Sequence, residues 1–460
     1  MSSTWVRRVR HGVAAAIILI AGVRCASVSA PSGTPITREQ ARASFEEAWS
    51  TIEKGDPDPA HGGVDWKAVH DRFAPEAEAC TTRESLRFVL QKMLSTLGRS
   101  HFGILSDQES DRLADAPDAT ARDGTCGLDL RVIESEAIVT DVQDGSPAAK
   151  AGVRRGWRVT LVDDERPIDP AWRDETPNLL KRYAHNASIR ALDHGATGVA
   201  TRWSFLDESG TPHAISITRT SLPGRRTKLG LLPEFSVTCT DRLLTAEELH
   251  ALGVPEDLRI GVIAFNVWMP VLAAELDSAV DRLRASDGIV LDLRGNPGGV
   301  GAMAMGVAGH FSNEPDSLGT MRTRDTTLEF RINPRRSTAD GREVEPFAGP
   351  LAILMDPLSA STSEIFAGGL QALGRARVFG RTSAGAALPA QMRRLPSGDG
   401  MMFAFADYTL PNGRSLEGEG VVPDEPCGGS LDAWREAHDP DLRAATHWIS
   451  RTLRDRDCHE

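Results

Sequence analysis

The sequence predicts an α/β domain whose sheet is covered on both faces, preceded by a small helical subdomain and a mainly-β insert. Three observations carry this. Apolar runs at Ile260–Phe265, Ile289–Leu293 and Leu351–Met355 alternate with helical spacings, as in βαβ units. Amphipathic stripes crowd the first hundred residues. Short alternating strands follow Thr125.

The 460 residues leave room for two or three domains, and 40% hydrophobic with 25% charged residues is ordinary globular composition. The formal net charge is −12, and no Lys/Arg block follows the first ten residues, which argues against a nucleic-acid surface; the acidity reads as solubility. Arg7, Arg8 and Arg10, the apolar run Val13–Val23 and the small residues Val28-Ser29-Ala30 predict a secretory signal peptide cleaved after Ala30. That run is too short to span a membrane. Its removal takes four arginines and no acids, so the mature charge is −12 − 4 = −16. Val23-Arg24 before Cys25 matches a lipid-anchor site poorly. The expected location is therefore extracytoplasmic, periplasmic or secreted, with no transmembrane helix in the mature chain. Cys80, Cys126, Cys239, Cys427 and Cys458 remain, far apart and without Cys-x-x-Cys, so neither a zinc site nor a thioredoxin-like site is expected; export permits disulfides, and the odd number leaves at least one thiol over.

The elements then follow in order. After the leader (1–30), residues 31–123 predict the helical subdomain: Thr37–Ile52 with Ala41, Phe45, Ala48, Trp49 and Ile52 on one stripe, then Trp66–Phe73, then Glu84–Leu97 with Leu86, Val89, Leu90, Met93, Leu94 and Leu97. It ends at Gly98-Arg99-Ser100-His101-Phe102. Residues 124–221 form the β insert, with strands over 127–132, 136–142 and 157–162 and an unassigned middle. The catalytic candidate spans 222–426, residues 222–256 being a connecting segment. Residues 427–460 are a tail with one closing helix, Leu431–Leu453, and no internal repeat is visible.

Within the insert, Gly127-Leu128-Asp129-Leu130 and Ser146-Pro147-Ala148-Ala149-Lys150-Ala151-Gly152 resemble the carboxylate loop and helix start of a PDZ domain. The resemblance implies that the amides of Gly127, Leu128, Asp129 and Leu130 hold a peptide C-terminus beside a strand edge. Trp157 departs from the family's usual Asp.

The stretch around which the chain is organised is 349–372. A buried strand, Leu351–Met355, stops at Asp356-Pro357; Ser359-Ala360-Ser361-Thr362 follow; then Ile365, Phe366, Gly369, Leu370 and Leu373 take helical spacing from Ser363. A serine between strand end and helix start meets free N–H groups and the positive end of a helix dipole, which suits a nucleophile that creates an oxyanion. Ser361-x-x-Glu364 is equally a capping box, which by itself only starts a helix.

Two more segments accompany this turn: Gly-Ile-Val-Leu-Asp-Leu-Arg-Gly-Asn-Pro-Gly-Gly at 288–299 and Leu-Glu-Gly-Glu-Gly-Val-Val-Pro-Asp at 416–424. In this order, after a helical segment and a PDZ-like insert, they resemble the C-terminal processing (tail-specific) and tricorn-like serine peptidases, over about residues 65 to 426. The resemblance implies a tail-specific protease, crotonase-like ββα catalytic domain. It places the nucleophile at Ser361, and the oxyanion hole at Thr362 and at Gly298 or Gly299, where a backbone without Cβ approaches closely. The processing branch sets a lysine 25 positions after the serine. Here that position is Ala386, and Lys228 is the last lysine of the chain. The tricorn-like branch uses histidine with a preceding serine and a late glutamate, which implies His101 as base, Ser100 as its support, and Glu417, with Glu419 as runner-up.

The expected function is an exported serine peptidase that cleaves peptides or proteins, bound by their C-termini, through an acyl-enzyme and without metal or organic cofactor. The rival is an inactive peptide- or ligand-binding protein on the same scaffold, as in the family's retinoid-binding repeats.

Overall fold

The computed structural model describes residues 33–106, 124–170, 172, 178–437 and 439–457; the expected signal peptide and Cys458 lie outside them. Helix α1 (Arg38–Gly55) starts where Thr37 and Gln40 cap each other's backbone amides. Helices α2 (Trp66–Glu78) and α3 (Arg83–Ser95) follow. Helix α2 runs through Pro75, beyond the Phe73 end read from the sequence, because Ala77 is buried in the same core as Phe73. The helices do not close that core alone. Strand β1 (Gly103–Leu105) pairs with a hairpin of Ala390–Arg394 and Gly400–Ala404, and Leu388, Leu395, Met401 and Phe403 complete the apolar cluster.

The insert is built on an antiparallel sheet of β2 (Leu128–Ile133), β3 (Glu136–Val142), β4 (Arg158–Val162), β5 (Ala200–Leu206) and β6 (Pro212–Thr218), in that spatial order, with a second small sheet of Gly124–Thr125 between His194–Gly195 and Thr220–Ser221. Strand β2 lies at one edge, with helix α4 (Leu179–Arg190), unassigned in the sequence reading, packed along it. Leu130, Val132, Val139, Trp203 and Phe205 fill its core.

The main sheet has six strands in chain order: β7 (Cys239–Leu243), β8 (Ile260–Phe265), β9 (Gly288–Asp292), β10 (Leu351–Met355), β11 (Arg377–Gly380) and β12 (Glu425–Pro426). Only the β7–β8 pair is antiparallel. Ile289, Leu291, Leu351, Ile353 and Met355 face helices α6 (Ala273–Leu283) and α8 (Thr362–Ala372); Val290, Ala352 and Leu354 face the C-terminal helix.

Two expectations are corrected. The connecting segment 222–256 contains β7 and helix α5 (Ala246–Leu252), so the sheet starts before Ile260; β7 is an edge strand with mostly exposed or half-buried side chains and lacks an apolar signature. The tail is two helices, α9 (Leu431–Ala437) and α10 (Pro440–Asp457): Pro440 cannot continue a helix, and Asp439 accepts the Leu442 N–H at the new start.

Strands β9 and β10 are adjacent and parallel, Asp292 beside Leu354. The loops after them therefore leave the sheet together at its carboxyl edge, where α/β proteins place their sites.

Candidate active site

The turn after β10 is organised by Asp356. Its buried carboxylate accepts the N–H groups of Leu358 (2.9 Å), Ser359 (3.1 Å) and, from the glycine loop, Gly295 (2.9 Å), and the Arg131 guanidinium pairs with it from β2. Burial acts to raise this carboxyl, but Arg131 and the amides hold it well below the usual range.

The three serines of the turn separate by environment. Ser359 is buried and donates to Leu293 O at 2.8 Å. Ser363 is buried between Asn296 O (3.0 Å) and Trp268 Nε1 (2.9 Å). Ser361 alone is half-buried, and its backbone has φ 55° and ψ −118°. A non-glycine residue in that region costs about 1–3 kcal/mol and persists only where its surroundings over-determine it. Here the Ser361 N–H donates to Ala386 O (2.8 Å) and to Glu364 (3.0 Å), and these two bonds hold the backbone in that region.

The glycine loop lies against this turn. A Cβ on Gly298, at φ 98°, would stand 2.6 Å from Ser361 Cβ and 3.0 Å from Thr362 N. Of the two glycine amides, Gly298 N–H is given to Asn296 Oδ1 at 3.0 Å. The Gly298 carbonyl accepts Trp268 N–H at 2.9 Å, so the Gly299 N–H of the same trans peptide points the opposite way. Gly299 N–H and Thr362 N–H, the first amide of α8, donate to no protein group among the described residues.

His101, 5% exposed and at φ 62°, is a second strained residue. Its Nδ1 lies 2.7 Å from Ser100 Oγ, and Ser100 Oγ lies 2.8 Å from Glu417 Oε2. The same carboxylate takes Ser100 N–H (2.7 Å) and Ala387 N–H (3.2 Å). A carboxylate only accepts, so the single Ser100 O–H goes to Glu417 and His101 Nδ1–H donates to Ser100 Oγ, which leaves the Nε2 lone pair free to take a proton. Burial lowers the imidazole to about 4 and raises Glu417. Glu417, not Glu419, reaches Ser100; Glu419 is exposed and 3.6 Å from Arg414. Ser361 and His101 form no hydrogen bond with each other in this structure. They are joined through one short segment: Ala386 O holds the Ser361 amide, and Ala387 N–H holds Glu417.

That segment carries the family's lysine position. Ala386 is fully buried and packs with Leu180 and Tyr183 of α4. Glu364, read from sequence only as a cap, ties it down by accepting Ser383 Oγ (2.5 Å), Gly385 N–H (2.8 Å) and Ala386 N–H (2.9 Å). Burial pushes Glu364 up to about 7 against these bonds. The capping-box spacing was its only sequence signal. Arg131 and Asp356 gave none, since their pairing spans two domains.

Of the expected peptide-binding residues, Gly127 precedes and Leu128, Asp129 and Leu130 start the edge strand β2, but several of their groups are engaged internally. Gly127 N–H donates to Thr125 Oγ1 (2.8 Å), Leu128 N–H to Asp193 Oδ1 (3.0 Å), and the Asp129 carboxylate pairs with Arg131 and Arg190. Among the described residues no group of His, Cys, Asp and Glu side chains could hold a metal ion, and Cys80, Cys126, Cys239 and Cys427 form no disulfide.

Residues 259–427 match peptidase family S41, and residues 37–95 match the tricorn protease C1 domain. The chain is 29% identical over 385 residues to a carboxyl-terminal-processing protease of Picosynechococcus, covering 82% of this chain and 81% of the relative. It is 23% identical over 440 residues to one from Synechocystis, covering 94% and 91%. In fold it resembles the photosystem II D1 C-terminal processing protease (TM-score 0.55, 19% identity, 88% of this chain and 96% of that one) and the tricorn protease (TM-score 0.50, 16% identity, 91% of this chain and 37% of that one). Residues 259–427, which carry both site loops, are thus a peptidase family S41 domain with a tricorn C1 segment ahead of it, and the chain resembles the carboxyl-terminal-processing and tricorn-like serine peptidases.

Proposed function

We propose that this serine peptidase uses a histidine base in place of its relatives' lysine. Ser361 Oγ attacks the substrate carbonyl carbon as its proton passes to His101 Nε2. The oxyanion is held by Gly299 N–H and Thr362 N–H at the positive end of α8. As the C–N bond breaks, His101 returns the proton to the leaving amine, and water then hydrolyses the Ser361 ester by the same route. Glu417, through Ser100, holds the tautomer and stabilises the imidazolium. The single observation that carries this is the Glu417–Ser100–His101 relay, tied through Ala386-Ala387 to the strained Ser361, with a buried alanine where a lysine would stand.

The substrates are polypeptides, as the relatives' names indicate, and the insert is PDZ-like. The basic and apolar N-terminus supports export, with the mature chain starting at Pro31; N-terminal sequencing of protein from the extracytoplasmic fraction tests this, and an intact Met1 there refutes it. No helix among the described residues is long and apolar enough to cross a membrane.

The test of the chemistry is labelling by a fluorophosphonate probe, which reports an activated serine without a known substrate. Wild type is expected to label, and Ser361→Ala and His101→Ala are not. Labelling that survives His101→Ala refutes the base. A folded wild type that does not label favours the inactive binding protein.

A further inference from the structure

The carboxylate loop of a PDZ-like module works by offering unpaired backbone amides to a peptide's last carboxylate, beside a strand edge that the peptide extends. Here both features are filled by the chain itself. Asp193, in the 3-10 turn (191–193) that follows α4 and 2% exposed, sends its side chain into the loop: Oδ1 accepts Cys126 N–H (3.1 Å) and Leu128 N–H (3.0 Å), and Oδ2 accepts the Thr125 Oγ1 hydroxyl. Thr125 Oγ1 in turn takes Gly127 N–H. The loop is also covered, since a Cβ on Gly127 would lie 2.2 Å from Ser146 Cβ. Along the edge, Val132 N–H donates to Asn186 Oδ1 of α4 at 3.0 Å, and Arg381 Nη1 donates to Val132 O at 2.8 Å. Asn186 is fully buried. Helix α4 therefore sits within hydrogen-bonding distance of β2, with no width between them for another strand.

Arginines of β2 and α4 tie the module to the catalytic loops. Arg131 pairs with Asp356, Arg190 donates to Gly295 O (2.7 Å), and Arg182 donates to Thr382 O (2.7 Å). Displacing α4 to admit a peptide would strip the buried Asp193 carboxylate of three donors and disturb both walls of the site. Each buried polar group left unpaired costs about 1–3 kcal/mol, more when charged.

We propose that the module takes no substrate C-terminus: Asp193 is a built-in occupant of the carboxylate loop, Asn186 and Arg381 close the strand edge, and the peptidase accepts polypeptide segments whether or not a free carboxylate follows. The module acts as a fixed wall of the site, and Asp193 is the specificity-determining residue. The consequence for cleavage rests on the peptidase reading given above; the binding consequence does not.

Two fluorescein-labelled peptides of one sequence, one ending in a free acid and one amidated, are titrated by anisotropy into full-length Ser361→Ala protein. The expected result is equal affinity within twofold, or no binding of either. A tenfold advantage of the free acid overturns the proposal. In parallel, wild type is given quenched-fluorescent versions of both peptides, and equal kcat/KM is expected; a tenfold loss on amidation also overturns it. If neither peptide is cleaved, the peptidase reading is what fails, and the binding comparison still decides the role of Asp193.

Discussion

Replacing Ser100 by alanine isolates the relay, because one oxygen carries both of its links. Ser100 Oγ lies 2.7 Å from His101 Nδ1 and 2.8 Å from Glu417 Oε2. Ser100→Ala leaves the Nδ1–H of an almost fully buried imidazole without its acceptor, at the moment when positive charge develops on the ring. A hydrogen bond to a charged group contributes about 1.5–3 kcal/mol. At 1.36 kcal/mol per decade, its loss slows the acylation step about 10- to 150-fold. The assay is the second-order rate constant for fluorophosphonate labelling, with a thermal melt to show that the variant is folded. Glu417→Gln keeps the shape and removes the charge, and is expected to fall in the same range. Since both variants break the same link at Ser100 Oγ, their effects on the relay do not add: the double variant is expected within about 0.5 kcal/mol of the worse single one. A folded Ser100→Ala protein that labels within threefold of wild type, or a double variant that shows the full sum, refutes the relay.

Three further outcomes follow from the same geometry. Gly298→Ala places a Cβ 2.6 Å from Ser361 Cβ at φ 98°, so labelling is expected to fall more than about 100-fold, in line with loss of an oxyanion donor; normal labelling would show that the glycine loop does not face the nucleophile. Ala386→Lys puts an ammonium into the fully buried cluster with Leu180 and Tyr183, and a drop of several degrees in Tm without faster labelling is expected; unchanged Tm with faster labelling would mean that the site accepts a lysine base after all. Glu364 and His101 oppose each other in pH. Glu364 is raised from 4.5 to about 7, so the folded protein holds a proton that the unfolded chain has released, and this stabilisation is full below pH 4.5 and lost as pH rises through 7. His101 is lowered from 6.5 to about 4, so its contribution is present above pH 6.5 and lost as pH falls through 4. Glu364→Gln removes the first alone. Its stability relative to wild type is expected to improve by about 3 kcal/mol between pH 4.5 and 7 in urea unfolding, and a flat difference contradicts the buried proton.

The strand Leu351–Met355, the helix after Ser361 and the glycine loop were legible because they depend on neighbours within a few residues: an apolar run, an Asp-Pro stop, a helical spacing, glycines at positive φ. The absence of a lysine after Lys228 was equally a property of the chain alone, and it directed attention to Ser100-His101. The choice of Ser361 over Ser359 and Ser363 came from resemblance, since three serines at alternate positions look alike until two are seen spending their hydroxyls in the core. Glu417 and Glu419, two residues apart, diverge only when one reaches Ser100 and the other faces solvent next to Arg414.

Local sequence thus determined where strands end, where the backbone is free of Cβ atoms and which nucleophiles and bases the chain possesses. The tertiary structure alone decided how they meet. Asp356 pairs with Arg131 across 225 residues, and Ser100 meets Glu417 across 317. Hydrogen bonds at such separations leave no periodicity, and a buried carboxylate such as Asp193 is indistinguishable in sequence from a surface one. Whether a peptide-binding loop is open or already filled depends on which side chain the fold delivers to its amides, and that is a property of packing between elements and not of any one of them.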